Sequence, residues 1–260
     1  MQSLPHEFIV LSFALIGLAL GSFATMLIYR LPKGKTFGGR SKCTTCNHML
    51  HWYDLIPVFS FLFLKCHCHY CKQKISWRYP ILEATTALVF VLFATHIDWG
   101  GGIALVFLAS ALYTLVLIAF YDFETQKIPD IFITLLFLSA LLYRGMLSMN
   151  DPLAMQSGMM GAAIPFLFFG GMWMISSGRW IGSGDILLGT SIGLLLGTRL
   201  SMLALFFAYV IGAATALMLM SLQLIKRSET MPFGPFLAIG ALVALFAGET
   251  LFTLYVGLFL

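Results

Sequence analysis

The chain has 260 residues, of which 60% are hydrophobic and only 10% charged, and its formal net charge is +4. That composition excludes an ordinary soluble globular domain. Repeated apolar runs of about 20 residues give an all-α polytopic membrane protein, since a helix satisfies its own backbone polar groups inside lipid. The small positive excess reads as basic loops on one membrane face, with no case for nucleic-acid binding.

In chain order, residues 1–7 carry no Lys or Arg, and the apolar run that follows is long enough to cross. The N-terminus therefore reads as a retained span, not a cleavable signal peptide. About eight transmembrane helices are predicted, at 8–29, 81–97, 101–121, 131–147, 153–176, 186–197, 200–225 and 236–260. The 186–197 run is short for a full crossing and is expected to be tilted or broken. Only the stretch from Pro32 to about Tyr79 has the composition of a soluble domain. The chain shows no convincing internal repeat and no low-complexity tract.

Loop charge sets the orientation. With the N-terminus outside, one membrane side receives thirteen of the 15 Lys and Arg, including Lys35, Lys127, Arg179, Lys226 and Arg227. The other side receives Arg144 and Arg199. The basic side is expected to be cytoplasmic. Three parts follow: 1–31, a first transmembrane helix; 32–80, a small cytoplasmic zinc-binding domain; and 81–260, a transmembrane domain that carries the candidate catalytic acids.

All five cysteines fall between positions 43 and 71. Cys43-Thr44-Thr45-Cys46 and Cys68-His69-Tyr70-Cys71 form two CxxC knuckles with 21 residues between them. Each knuckle brings two thiolates to one metal, and two knuckles close a tetrahedral four-thiolate site for Zn2+. Four protein ligands leave no open position for chemistry, and so short a domain needs a staple, so the zinc is expected to be structural. Cys66 is left as a spare thiol beside His67 and His69.

Charged residues are rare, so acids at the edge of a span are the candidate functional groups. Asp185 follows Gly182-Ser183-Gly184, where a helix N-cap belongs, and the two glycines leave room for another backbone to lie close. In the 122–130 loop three acids compete. Asp130 follows Pro129 and opens a helix, which N-capping explains, and Glu124 sits in a solvated loop. Asp122 lies at the C-terminal end of the 101–121 span, where the helix dipole disfavours an anion. Asp122 and Asp185 share the basic membrane side. Two carboxylates brought together would share a proton and act as base and acid on a water molecule. A transporter or membrane assembly factor that uses the acidic pair for cation passage, with the zinc knuckles as a docking module, is the alternative.

These stretches together resemble the prepilin peptidase family, the GxGD-type intramembrane aspartyl proteases. The resemblance is carried by Gly21-Ser22-Phe23 with Ile28-Tyr29-Arg30-Leu31-Pro32, by the two CxxC knuckles, and by Trp52-Tyr53-Asp54-Leu55-Ile56-Pro57-Val58. It continues in Ile75-Ser76-Trp77-Arg78-Tyr79-Pro80-Ile81-Leu82-Glu83, Asp122 with Ile128-Pro129-Asp130, Gly182-Ser183-Gly184-Asp185, and Met231-Pro232-Phe233-Gly234-Pro235-Phe236. It implies a multi-pass protein of the bacterial inner membrane that cleaves type IV prepilin or pseudopilin precursors after a leader glycine at the cytoplasmic surface. Asp122 and Asp185 would be the catalytic pair. It also implies N-methylation of the new N-terminal residue with S-adenosylmethionine, at residues the sequence leaves unassigned, with Glu83 a candidate contact. The implied partners are the precursor, membrane lipid and, indirectly, the pilus or secretion assembly machinery. Two positions depart from the family pattern: Leu187 stands where Lys is common, and Thr25 where Asn is common.

Overall fold

The structure, a computed structural model, describes residues 5–34, 36, 38–97, 101–226 and 230–259. The expectations that fall on residues 1–4, Lys35, Arg227 and Leu260 lie outside these. The described residues are almost entirely helical and divide into two compact units, Met1–Ile97 and Asp98–Leu260.

The first unit holds α1 (His6–Arg30), the short α2 (Phe59–Phe63) and α3 (Arg78–His96). Pro32 and Gly34 end α1: a 3₁₀ turn over Leu31–Lys33 closes on Gly34 in the left-handed conformation. α1 and α3 pack side by side. Their approach is set by Gly17 and Gly21, where a Cβ would come within 2.6 Å of the Ala87 and Glu83 Cα atoms respectively. This packing puts α3 in the N-terminal unit, whereas the sequence division at residue 80 grouped it with the later helices.

Between α1 and α3 the polar stretch has little regular structure beyond α2 and a 3₁₀ turn at Trp52–Leu55. Its two cysteine knuckles nevertheless share one backbone design. In the first, Lys42 bridges Met49, the Cys43 N–H donates to His48 O, and the Asn47 N–H donates to Cys43 O. In the second, His67 bridges Lys74, the Cys68 N–H donates to Gln73 O, and the Lys72 N–H donates to Cys68 O. Asn47 and Lys72 both have φ of 57°. This repeat lives in the backbone; the side chains outside CxxC differ, which is why the sequence does not display it.

The second unit contains α4 (Ala104–Thr125), α5 (Asp130–Ser148), α6 (Leu153–Ser176), α7 (Ser183–Leu196), α8 (Thr198–Ser221) and α9 (Gly234–Phe259). α4 packs on α5 and α9, α7 on α5 and α6, and α8 on α6 and α9. Among the described residues, seven helices are long and apolar enough to cross a membrane. The eighth expected span, α7, has 14 residues. At 1.5 Å per residue it extends about 21 Å, short of a hydrocarbon core of about 30 Å.

α7 therefore ends among its neighbours. The Arg144 Nε of α5 donates to the Leu194 and Leu195 carbonyls, at 3.1 Å each. Gly197 closes the helix with φ of 78°, and Ser157 of α6 binds both the N–H and the hydroxyl of Thr198. Where α6 and α7 cross, Gly161 meets Gly193 so closely that a Cβ on either would overlap the other's backbone. These contacts fix the end of α7 opposite Asp185.

Candidate active site and metal centre

Asp122 occupies the last turn of α4, which continues to Thr125 and ends at Gln126 in the left-handed conformation. Its side chain is only 5% exposed, a costly place for a carboxyl without donors. The donor comes from α9: the Gly234 backbone N–H reaches Asp122 Oδ2 at 3.0 Å. Gly234 is the first residue of α9, so this N–H is one of the orphan donors at a helix N-terminus, where the dipole favours an anion. The field of α9 opposes that of α4 at this carboxylate. Gly234 has no substitute here, because a Cβ would lie 2.7 Å from Asp122 Oδ2.

Asp185 stands in the first turn of α7, half-buried. Gly182, not Asp185, is the N-cap; Asp185 is the third helical residue, and its carboxylate turns back toward the Gly182 backbone N–H. The glycines also serve differently from the sequence expectation. Among the described residues, what lies nearest Gly184 is the Ile128 side chain at 3.6 Å, an ordinary contact, and not a second backbone.

The Asp122 and Asp185 carboxylates are near enough for their charges to interact directly. Asp185 also interacts electrostatically with the Tyr209 hydroxyl of α8. Tyr209 packs against Phe233 with ring centroids 5.2 Å apart, and Phe233 packs against Phe169 at 6.0 Å. The Gln126 side-chain amide donates to Thr230 O at 3.1 Å, tying the loop after α4 to the segment before α9. Helices α4, α7, α8 and α9 thus carry the groups around the two acids. Asp130 is at the first position of α5 and exposed, with Pro129 as the N-cap, and Glu124 is exposed on the last turn of α4. Both site acids lie near helix ends, away from the mid-helix position that a cation path would favour.

Sequence reasoning did not find Gly234, Tyr209 or Arg144. The Met231-Pro232-Phe233-Gly234 stretch stood out as a signature, but nothing in it revealed a backbone donor aimed at Asp122. Tyr209 and Arg144 carried no motif at all.

In the first unit, the Sγ atoms of Cys43, Cys46, Cys68 and Cys71 all lie within 4.8 Å of one another. The Cys43 and Cys71 sulfurs are 3.9 Å apart. A tetrahedron of Zn–S bonds near 2.3 Å has edges of about 3.8 Å, so this donor set fits a four-thiolate zinc site. Burial pushes the Cys43 thiol up, but the backbone N–H groups of Cys46 and Thr45 outweigh it and bring the group down to about 7. Burial pushes the Cys68 thiol up. Cys66 stands outside the group, and its backbone pairs with Phe61 and Ile75.

Glu83 is buried on α3, and its Oε2 accepts the Val58 backbone N–H at 2.7 Å. It borders a cavity of about 1250 Å³ contained in the N-terminal unit, with Ser22, Tyr29, Asp54 and Tyr79 also on its walls.

Residues 15–97 match the bacterial peptidase A24 N-terminal domain, and residues 109–217 match the type IV leader peptidase family. A prepilin leader peptidase/N-methyltransferase of Bacillus subtilis (strain 168) is 32% identical over 243 residues, covering 93% of this chain and 96% of its own. The chain belongs to the type IV leader peptidase family. A second relative of the same name, from Aeromonas hydrophila, is 30% identical over 289 residues, covering 100% of this chain and 97% of its own. No solved structure matches. As a leader peptidase the chain is a membrane-embedded protease, and both family regions fall on the units described: the first on the cysteine knuckles, the second across the helices that carry Asp122 and Asp185.

Proposed function

We propose that this leader peptidase removes the leader of type IV prepilins or pseudopilins by aspartyl catalysis at the cytoplasmic membrane surface. The observation that carries the reading is that Asp122 and Asp185 come near enough for their charges to interact, in a chain of the leader peptidase family. With one proton held by the pair, the ionised carboxylate takes a proton from water while the water oxygen adds to the scissile carbonyl. The protonated carboxyl hands its proton to the carbonyl oxygen. On collapse the C–N bond breaks and the new amine leaves with a proton from the pair. Gly234 holds Asp122 in place through this cycle. The excess of Lys and Arg on the Asp122 and Asp185 side supports a cytoplasmic site in the inner membrane of a bacterium.

The names of the relatives support a second step, N-methylation of the exposed amine. S-adenosylmethionine supplies an electrophilic methyl group on a sulfonium centre when bound. The N-terminal cavity holds groups for both charges of that molecule: Asp54 and Glu83 are acidic and Tyr79 aromatic, while Arg30, Arg40, Lys42 and Lys74 could meet its carboxylate. The four-thiolate site would hold zinc as a structural element of that unit.

The test uses purified protein with a prepilin precursor. The parent cuts it, and Asp122→Asn and Asp185→Asn do not. Cleavage that survives in either variant removes that residue from the mechanism. Mass spectrometry of the product with S-adenosylmethionine present reads methylation as a 14-Da gain, and an unmodified N-terminus leaves the peptidase alone.

A further inference from the structure

Four of the five residues of α2 are large and apolar, Ser60 being the exception. Phe61 points inward and is 4% exposed, whereas Phe59, Leu62 and Phe63 are 52%, 59% and 83% exposed. We propose that α2 is an interfacial segment that inserts Phe59, Leu62 and Phe63 into the lipid beside the Arg78 end of α3, forming a wall between the bilayer and the N-terminal cavity.

Depth carries the argument. The residue before α2, Val58, donates its N–H to Glu83 at 2.7 Å. Glu83 is the sixth residue of α3, a helix of 19 residues whose length only just matches the hydrocarbon core. Five residues of rise put Glu83 about 7–8 Å inside the Arg78 end of α3. A segment anchored there lies at the headgroup–acyl boundary, the depth at which monotopic helices bury an apolar face.

A second contact fixes the same level. Phe61 meets Trp77 with ring centroids 4.8 Å apart in an edge-on arrangement, and Trp77 immediately precedes α3. Tryptophan concentrates at membrane interfaces because its ring is apolar and its N–H is wet. Lys65 follows α2 and is exposed, a suitable partner for lipid phosphate. The anchor is rigid: Val58 has φ of 61°, a strained conformation for a β-branched residue, which Glu83 holds through the peptide N–H.

The opposite side of the segment gives the wall its meaning. Ser60, Phe61 and Leu64 border the cavity of about 1250 Å³. Lipid on one side and cavity on the other leave a barrier one helix thick.

The proposal does not depend on the peptidase reading. Full-length protein in phosphatidylcholine–phosphatidylglycerol nanodiscs is prepared with a fluorescent amino acid in place of Phe63, and separately in place of His69 in the second knuckle as a water-facing control. Phosphatidylcholine carrying a shallow doxyl group should remove most of the emission at position 63 and little at 69, and aqueous iodide should do the reverse. Zinc content equal to that of the parent checks that the knuckles have folded, and the same readout at Phe59 serves if the Phe63 probe fails that check. Iodide quenching without doxyl quenching at positions 63 and 59 overturns the proposal. A photo-reactive benzoylphenylalanine at Leu62 provides an independent arm: lipid adducts support the proposal, and adducts to the precursor or to a second copy of the chain overturn it.

Discussion

The Gly234 N–H points at the Asp122 carboxylate from 3.0 Å, and it does so from the first residue of a helix that begins 112 positions later in the chain. This contact makes α9 part of the candidate site. It predicts that Gly234→Ala impairs turnover without unfolding the protein, because the added Cβ would lie 2.7 Å from Asp122 Oδ2 and force it to move. If Asp122 reacts as proposed, a displacement on that scale costs about 10- to 100-fold in kcat. Steady-state cleavage of a precursor, with thermal stability as the control, checks it, and parental kcat in Gly234→Ala would show that the contact has no part in catalysis.

The acid pair predicts a bell-shaped dependence of cleavage on pH. In the proposed aspartyl mechanism one proton resides on Asp122 and Asp185 together. At low pH both are protonated and no base remains, so the rate falls. At high pH both are ionised and no acid remains, so the rate falls again. The two limbs belong to the pair and not to either residue alone. A profile of kcat/KM that stays flat to about pH 9 contradicts the shared proton.

How much of this was legible in the sequence depended on whether the signal was local. The membrane class and the cysteine knuckles rest on composition or on spacing within a few residues, and the helices follow the apolar runs closely. Asp185 was expected at the N-cap but lies three positions past it, because the Gly-Ser-Gly approach hides which residue starts the helix. The donor at Gly234 and the phenol at Tyr209 reach the site only through packing of α8 and α9. No period or motif encodes that packing. Arg144 read merely as one of two cations on the sparsely charged side, since its target is a pair of backbone carbonyls.

The four-thiolate site predicts that metal holds the N-terminal unit together. Treating the protein with a strong chelator, or replacing Cys46 with Ser, should release zinc and expose the Lys65–Lys74 region to trypsin. Protons compete with metal for thiolates, so affinity falls as pH falls. Cys43 sits at about 7, so below that value zinc must also displace its proton and affinity falls more steeply. Protein with no bound zinc and an unaltered protease-resistance pattern would rule out the structural role.

Arg144 predicts an effect on catalysis from the far end of α7. Its Nε holds the Leu194 and Leu195 carbonyls at the terminus opposite Asp185, and α7 is too short to reach the other membrane surface for water. Arg144→Met leaves those carbonyls without their charged donor, at a cost of about 2–4 kcal/mol in stability. The register of α7, and with it the distance from Asp185 to Asp122, loses one of its constraints. The expected signature is a fall in kcat of about tenfold with KM little changed, and a shift in the alkaline limb of the pH profile, because the coupling between the two acids changes. Arg144→Lys should recover part of the stability but little of the kcat, since a lysine has no N–H at the position of the Nε that donates to both carbonyls. A loss of stability with kcat and pH profile unchanged would confine Arg144 to holding the fold.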